Sequence, residues 1–81
     1  MILVDIRIPP IDMTVDYMLD ENATIEQITY ELIEMVGKKV NSEVHEKQGF
    51  GLFSLQLKKE LSPHQTLADY GISDGSTLIL V

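Results

Sequence analysis

Residues 66–81 read Thr66-Leu67-Ala68-Asp69-Tyr70-Gly71-Ile72, then Ser73-Asp74-Gly75-Ser76, then Thr77-Leu78-Ile79-Leu80-Val81. The first block predicts a short helical turn that ends at Gly71. The second predicts a tight turn in which Gly75 takes the positive φ that a side chain disfavours. The third alternates as a strand, with Leu78 and Leu80 on one face and Ile79 and Val81 on the other.

Working outward, Ile2, Val4, Ile6 and Ile8 alternate with Leu3, Asp5 and Arg7, the mark of a half-buried strand. Pro9-Pro10 ends it, because proline has no N–H for a ladder. Alternation then resumes with Ile11, Met13, Val15, Tyr17 and Leu19 on one face, which predicts a hairpin. After the polar break Asp20-Glu21-Asn22, the apolar stripe Ile25, Ile28, Leu32 and Met35/Val36 predicts a helix over 23–37. Its N-cap falls at Asn22 or in the Ala23-Thr24 step, and Gly37 is its expected stop. Residues 38–51 have no clear period, though Asn41 or Ser42 is placed to cap one turn through 43–47. Phe53, Leu55 and Leu57 alternate with Ser54 and Gln56 as a third strand, 58–60 is a turn, and Leu61 begins a short return. Strand, strand, helix, strand, short strand, strand is an α+β order. One helix then packs across a mixed sheet with the first and last strands near its centre, the β-grasp arrangement. All of 1–81 reads as a single domain.

Composition narrows the function classes. The 81 residues contain no cysteine, which leaves out disulfides, thiol chemistry and thiolate metal sites. No apolar run reaches the ~18 residues a membrane span needs, and the start, MILVDIRI, lacks the basic cluster of a signal peptide. The expected location is the cytoplasm, without membrane insertion. The formal charge is −7, and residues 1–36 carry all of it, eight acids against Arg7 alone. Such a half repels nucleic-acid phosphates and anionic lipid. It serves plain solubility or steers a basic partner.

The 66–81 block resembles the C-terminal signature of ubiquitin-like domains. In that family the turn's leucine and isoleucine, here Leu67 and Ile72, enter the core, and its tyrosine, here Tyr70, ties a neighbouring loop. Thr24-Ile25-Glu26-Gln27-Ile28 similarly resembles the opening of the ubiquitin helix. The resemblance leaves out 38–51, where this chain is longer by roughly eight to ten residues. More narrowly, Leu67, Asp69, Gly71, Ile72, Gly75, Leu78 and Leu80 fit the ending of YukD-like proteins. These are small bacterial ubiquitin-like proteins associated with type VII (WXG100) secretion systems. The resemblance implies a non-conjugating, cytosolic accessory or regulatory component that acts by binding proteins, with a secretion ATPase or membrane components of the apparatus as partners. An accessory subunit of a multicomponent oxygenase and a structural homodimer are the alternatives.

The residues themselves argue against an enzyme. A diglycine tail of the kind conjugation requires is not present at Val81. His45 and His64 are the only imidazoles, each in an expected surface loop. His45 has only Glu43 and Glu46 beside it, too few ligands for a zinc site. Gly49-Phe50-Gly51 is followed by no Gly-Lys-Ser/Thr and is no phosphate loop. No catalytic, cofactor or metal residues are expected.

The expected core takes Ile2, Val4, Ile6, Val15, Tyr17, Leu19, Ile25, Ile28, Leu32, Leu55, Leu61, Leu67, Ile72, Leu78 and Leu80. Alternation then turns Leu3, Ile79, Val81 and Leu52 outward. With the first and last strands adjacent, Leu3, Ile79 and Val81 are expected to form one exposed apolar patch, the candidate partner surface. Scattered surface hydrophobes are the competing reading. Phe50, between glycines, is a second candidate, as a lid over the helix end or as a mobile recognition loop.

Overall fold

In the computed structural model, which describes residues 1–39 and 50–81, the first alternation forms strand β1 (Ile2–Ile8), its four isoleucine and valine side chains at even positions buried. The two prolines stop it in a 3-10 turn, Pro9–Ile11. Asp12 closes that turn at φ 49°, its N–H donating to the Pro9 carbonyl at 3.0 Å. Strand β2 (Met13–Leu19) returns antiparallel, Ile8 opposite Met13 and Ile2 opposite Leu19. Ile11 stays in the turn and is exposed, so it is not part of the strand face expected for it.

Helix α1 (Ile25–Lys39) starts on a reciprocal cap. The Thr24 N–H donates to Gln27 Oε1 at 3.1 Å, and the Gln27 N–H donates to Thr24 Oγ1 at 3.2 Å. The Ile25 and Glu26 N–H groups donate to the carbonyls of Gln65 and Pro63 at 2.7 and 3.0 Å. The donors that a helix start leaves unpaired are thereby satisfied. Thr24→Ala is expected to destabilise the domain by about 1 kcal/mol, read as a lower urea midpoint with an unchanged slope. The buried stripe is Ile25, Ile28, Leu32 and Val36, joined by Ile33. Helix α1 runs through Gly37 and does not stop there. Glycine permits a left-handed stop without requiring one, and Met35 and Val36 pack on the core and hold the last turns down. The turn expected over 43–47, and His45 with it, lie outside the described residues.

Strand β3 (Leu52–Ser54) is shorter than the sequence predicts and has the opposite parity. Leu52 and Ser54 face inward at 0% and 1% exposure, whereas Leu55, expected in the core, is 39% exposed. The cause is register. Leu52 pairs with Leu80 and Ser54 with Leu78, both on the inner face of strand β5 (Thr77–Leu80). The chain then turns over 55–58. The Lys58 N–H donates to the Ser54 carbonyl at 2.8 Å, the Leu57 N–H to Ser54 Oγ at 3.2 Å, and Lys58 takes φ 57°. Lys59 and Glu60, expected in a turn, form strand β4 (Lys59–Glu60) against β3.

The sheet order is β2-β1-β5-β3-β4, with β1 and β5 parallel and the other pairs antiparallel. The inward residues of the sheet and the stripe of α1 share one core. This is the expected ubiquitin-like β-grasp. Val15 and Tyr17 are only partly buried, at the rim of that core.

The block 66–76 locks the end of the sheet. Residues 68–70 form a 3-10 turn closed by Gly71 at φ 70°. Thr66 and Asp69 cap each other at 2.9 and 3.1 Å. Leu67 and Ile72 are buried, and the Tyr70 hydroxyl accepts the Ser62 N–H at 2.7 Å. The Lys59 ammonium stands 5.1 Å from the centre of the Tyr70 ring. Tyr70→Phe leaves the partly buried Ser62 N–H without its acceptor and is expected to destabilise by about 1–2 kcal/mol, measured by urea unfolding. Gly75 takes φ 84°, and Asp74 beside it accepts the Leu3 N–H at 2.8 Å, tying this turn to β1.

Candidate functional site

The face of the sheet away from α1 is the candidate surface. Register aligns one row across all five strands, in the order Thr14, Arg7, Ile79, Phe53, Glu60. Ile79 and Phe53 are a directly paired, half-buried couple at its centre, with Arg7 on one side and Glu60 on the other. Val81 is 51% exposed and continues the apolar strip along β5. It exchanges both backbone hydrogen bonds with Gly51, at 2.7 and 3.0 Å. A Cβ at Gly51 would stand 2.6 Å from Glu60 Oε1, the far end of an exposed, flexible side chain that can move aside. Glu60 is thus laid back over β3 beside Phe53.

Leu3 is also exposed, at 44%, but it does not adjoin Ile79. Asp5 pairs with Thr77 and Arg7 with Ile79, which sets Leu3 level with Gly75, about 13 Å along the strands from Ile79. Its neighbour across the hairpin is Met18, 48% exposed. The expected single patch is therefore two: Ile79 with Phe53 and Val81, and Leu3 with Met18. Between them lie Asp5, which is 3.7 Å from Arg7 Nε, and Thr77. Leu52 does not contribute to either patch, being wholly buried on the other face.

Phe50 stands apart from both. It is 40% exposed and lines a groove of about 360 Å³ with Tyr30, Thr29 and Leu61, between α1 and the β3–β4 edge. The choice between a lid and a recognition loop turns on 40–49, which lie outside the described residues.

Sequence reasoning missed Phe53. Ser54 reads as a solvent-facing residue, and that assigned Phe53 to the face of Leu55. Ser54 is instead buried with its hydroxyl accepting a turn N–H. No local signal marks the choice: alternation over 52–57 fits either parity, and the pairing of Leu52 and Ser54 with Leu80 and Leu78 decides it.

Little of the electrostatics points to reaction chemistry. The Met1 ammonium donates to Glu21 Oε1 at 2.7 Å, and this hydrogen bond raises the pKa of the amine and lowers that of the carboxyl. The Tyr17 hydroxyl is pushed up, first by burial and then by the charge of Glu31, to which it donates at 3.2 Å. His64 is exposed. Among the described residues no three His, Asp or Glu side chains converge as a metal site, and no helix is long and apolar enough to cross a membrane.

Comparison with known proteins agrees with this architecture. A search of curated proteins finds no match. Among solved structures, the ubiquitin-like domain of an Arabidopsis thaliana protein, determined by solution NMR, superposes with a TM-score of 0.73 at 18% identity, over 99% of this chain and 74% of that one. That likeness concerns the fold. The profile of the WXG100 protein secretion system (Wss) protein YukD matches residues 3–80, a span that takes in all but the first residue of β1, the other four strands, the helix and the 66–76 lock described above. The chain belongs to the YukD family, as a ubiquitin-like protein associated with WXG100 secretion.

Proposed function

We propose that this protein is a non-enzymatic, cytoplasmic accessory or regulatory component of a bacterial type VII secretion system, and that it acts by binding other proteins of the apparatus, the secretion ATPase or a membrane component. The observation that carries this reading is the Ile79–Phe53 pair with Val81 on the outer sheet face, flanked by Arg7 and Glu60. An apolar centre with charged neighbours of both signs is the usual make-up of a small interface. Ile79 and Phe53 are already half-buried within the sheet, so each contributes less than the ~1.5–3 kcal/mol of a fully buried side chain. Association costs reduce that further. The contact is therefore a modest one that suits a regulatory component or one contribution within a larger assembly. The family assignment favours secretion over the oxygenase alternative. Affinity purification from the native cells with mass spectrometry tests the reading. Enrichment of a secretion ATPase or membrane component supports it; repeated recovery of none of them counts against it.

A further inference from the structure

Strand β2 is outermost on its side of the sheet, and the backbone groups on its free edge can be assigned. The Asp5 N–H donates to the Ser76 carbonyl at 2.9 Å, and the Leu3 carbonyl accepts the Gly75 N–H at 2.9 Å. The odd-numbered residues of β1 thus turn their backbone groups toward β5. Successive residues of a strand point these groups to opposite sides, so Ile2, Val4, Ile6 and Ile8 serve β2. Their partners there are Leu19, Tyr17, Val15 and Met13. Thr14, Asp16 and Met18 are left with their N–H and C=O groups aimed off the sheet, and no described residue hydrogen-bonds to them.

Natural edges are usually blunted by a proline, a bulge or short length. Strand β2 has seven residues with no proline, and its register with β1 runs without a bulge. Its one guard is Asp16, exposed at the middle. Carboxylates stand on both sides of this edge. Asp16 lies on the outer face beside Asp5. On the helix side Glu31 and Glu34 line a shallow groove of about 290 Å³ with Tyr17, Met35 and Lys38. A second copy of the chain fits poorly, because two β2 edges paired antiparallel about their centres set Asp16 against Asp16, and like charges directly opposite are destabilising.

We propose that the β2 edge takes up an extended basic segment of a partner protein as an added strand. The backbone groups of Thr14, Asp16 and Met18 pair with it, and its lysine or arginine side chains meet Asp16 on one face and Glu31 on the other. Strand addition of this kind draws affinity from main-chain hydrogen bonds and specificity from side chains. The surface is separated from Ile79 by β1, so the inference stands or falls independently of the reading above.

The test uses three capped synthetic peptides of the length of β2: one of alternating Lys-Lys and Val-Val pairs, which sets lysine on both faces of a strand, one with Glu in place of Lys, and the Lys–Val peptide N-methylated at every backbone nitrogen, which leaves neither of its edges a donor. The readout is amide hydrogen exchange by NMR at low salt. With the Lys–Val peptide at about ten times its dissociation constant, exchange at Thr14, Asp16 and Met18 is expected to slow by roughly tenfold. The Glu–Val and N-methylated peptides should leave it unchanged. In Asp16→Lys, whose fold is checked by its amide spectrum, the preference should swing toward the Glu–Val peptide. Equal protection by the N-methylated peptide would mean charge attraction without strand addition and would overturn the proposal. So would no protection at millimolar peptide, or protection that appears with protein concentration alone, which would indicate self-pairing.

Discussion

Leu52→Lys is expected to give an unfolded protein, while Phe53→Lys, one residue along, folds. Leu52 is wholly buried opposite Leu80, and the two carboxylates of the groove it lines, Glu26 and Glu60, belong to exposed residues, so a lysine there has to leave the core to reach either. The change removes a full side chain of apolar burial and leaves a charge to be desolvated or neutralised. That combination belongs with the rare substitutions above about 4 kcal/mol, against a total stability of roughly 5–15 kcal/mol for a domain. Phe53 lies on the outer face beside Ile79 and Glu60. Lysine there loses the cross-strand pair of an aromatic with the β-branched Ile79, worth up to about 1 kcal/mol, and stands opposite the carboxylate of Glu60. Circular dichroism and urea titration of the two variants read the difference directly. A folded Leu52→Lys with an unfolded Phe53→Lys would restore the alternation in which Leu55 and its parity partners face the core.

Ile79→Lys should separate binding from folding. Ile79 is half-buried at the centre of the outer row, between Arg7 and Phe53. The variant keeps its backbone pairing on both sides and adds a like charge next to Arg7, a cost of about 1 kcal/mol or less. Hot-spot residues at the centre of an interface lose about 2 kcal/mol or more on substitution, and Ile79 acting as one gives about a thirtyfold weaker dissociation constant. Calorimetric titration against the captured partner is the measurement. A melting temperature within a few degrees of wild type and a large loss of affinity is the expected pair of results.

Most of the fold was legible because hydrophobic period and turn chemistry agree locally. The alternation in β1, the stripe from Ile25 to Val36, and the Gly71 and Gly75 positions each dictate one local structure. What was not legible depends on pairing between distant segments. In 52–57 four of six residues are apolar, so alternation alone allows either parity, and the register with Leu78 and Leu80 decides it. The same limit applies to the site. Ile79 and Val81 follow from the parity of one strand. Whether Leu3 joins them depends on the parallel register of β1 and β5, which no local pattern encodes. Gly37 shows the converse: a residue that favours a stop yields to packing of Met35 and Val36 beside it.

The separation of the two apolar patches gives the most direct test of the proposed role. Tagged wild type, Ile79→Lys and Leu3→Lys are expressed in the native cells, and the co-purified secretion components are quantified side by side. The account predicts that Ile79→Lys loses them while Leu3→Lys, about 13 Å away along the strands, retains them. Undiminished recovery with Ile79→Lys, from a variant shown to be folded, would contradict it.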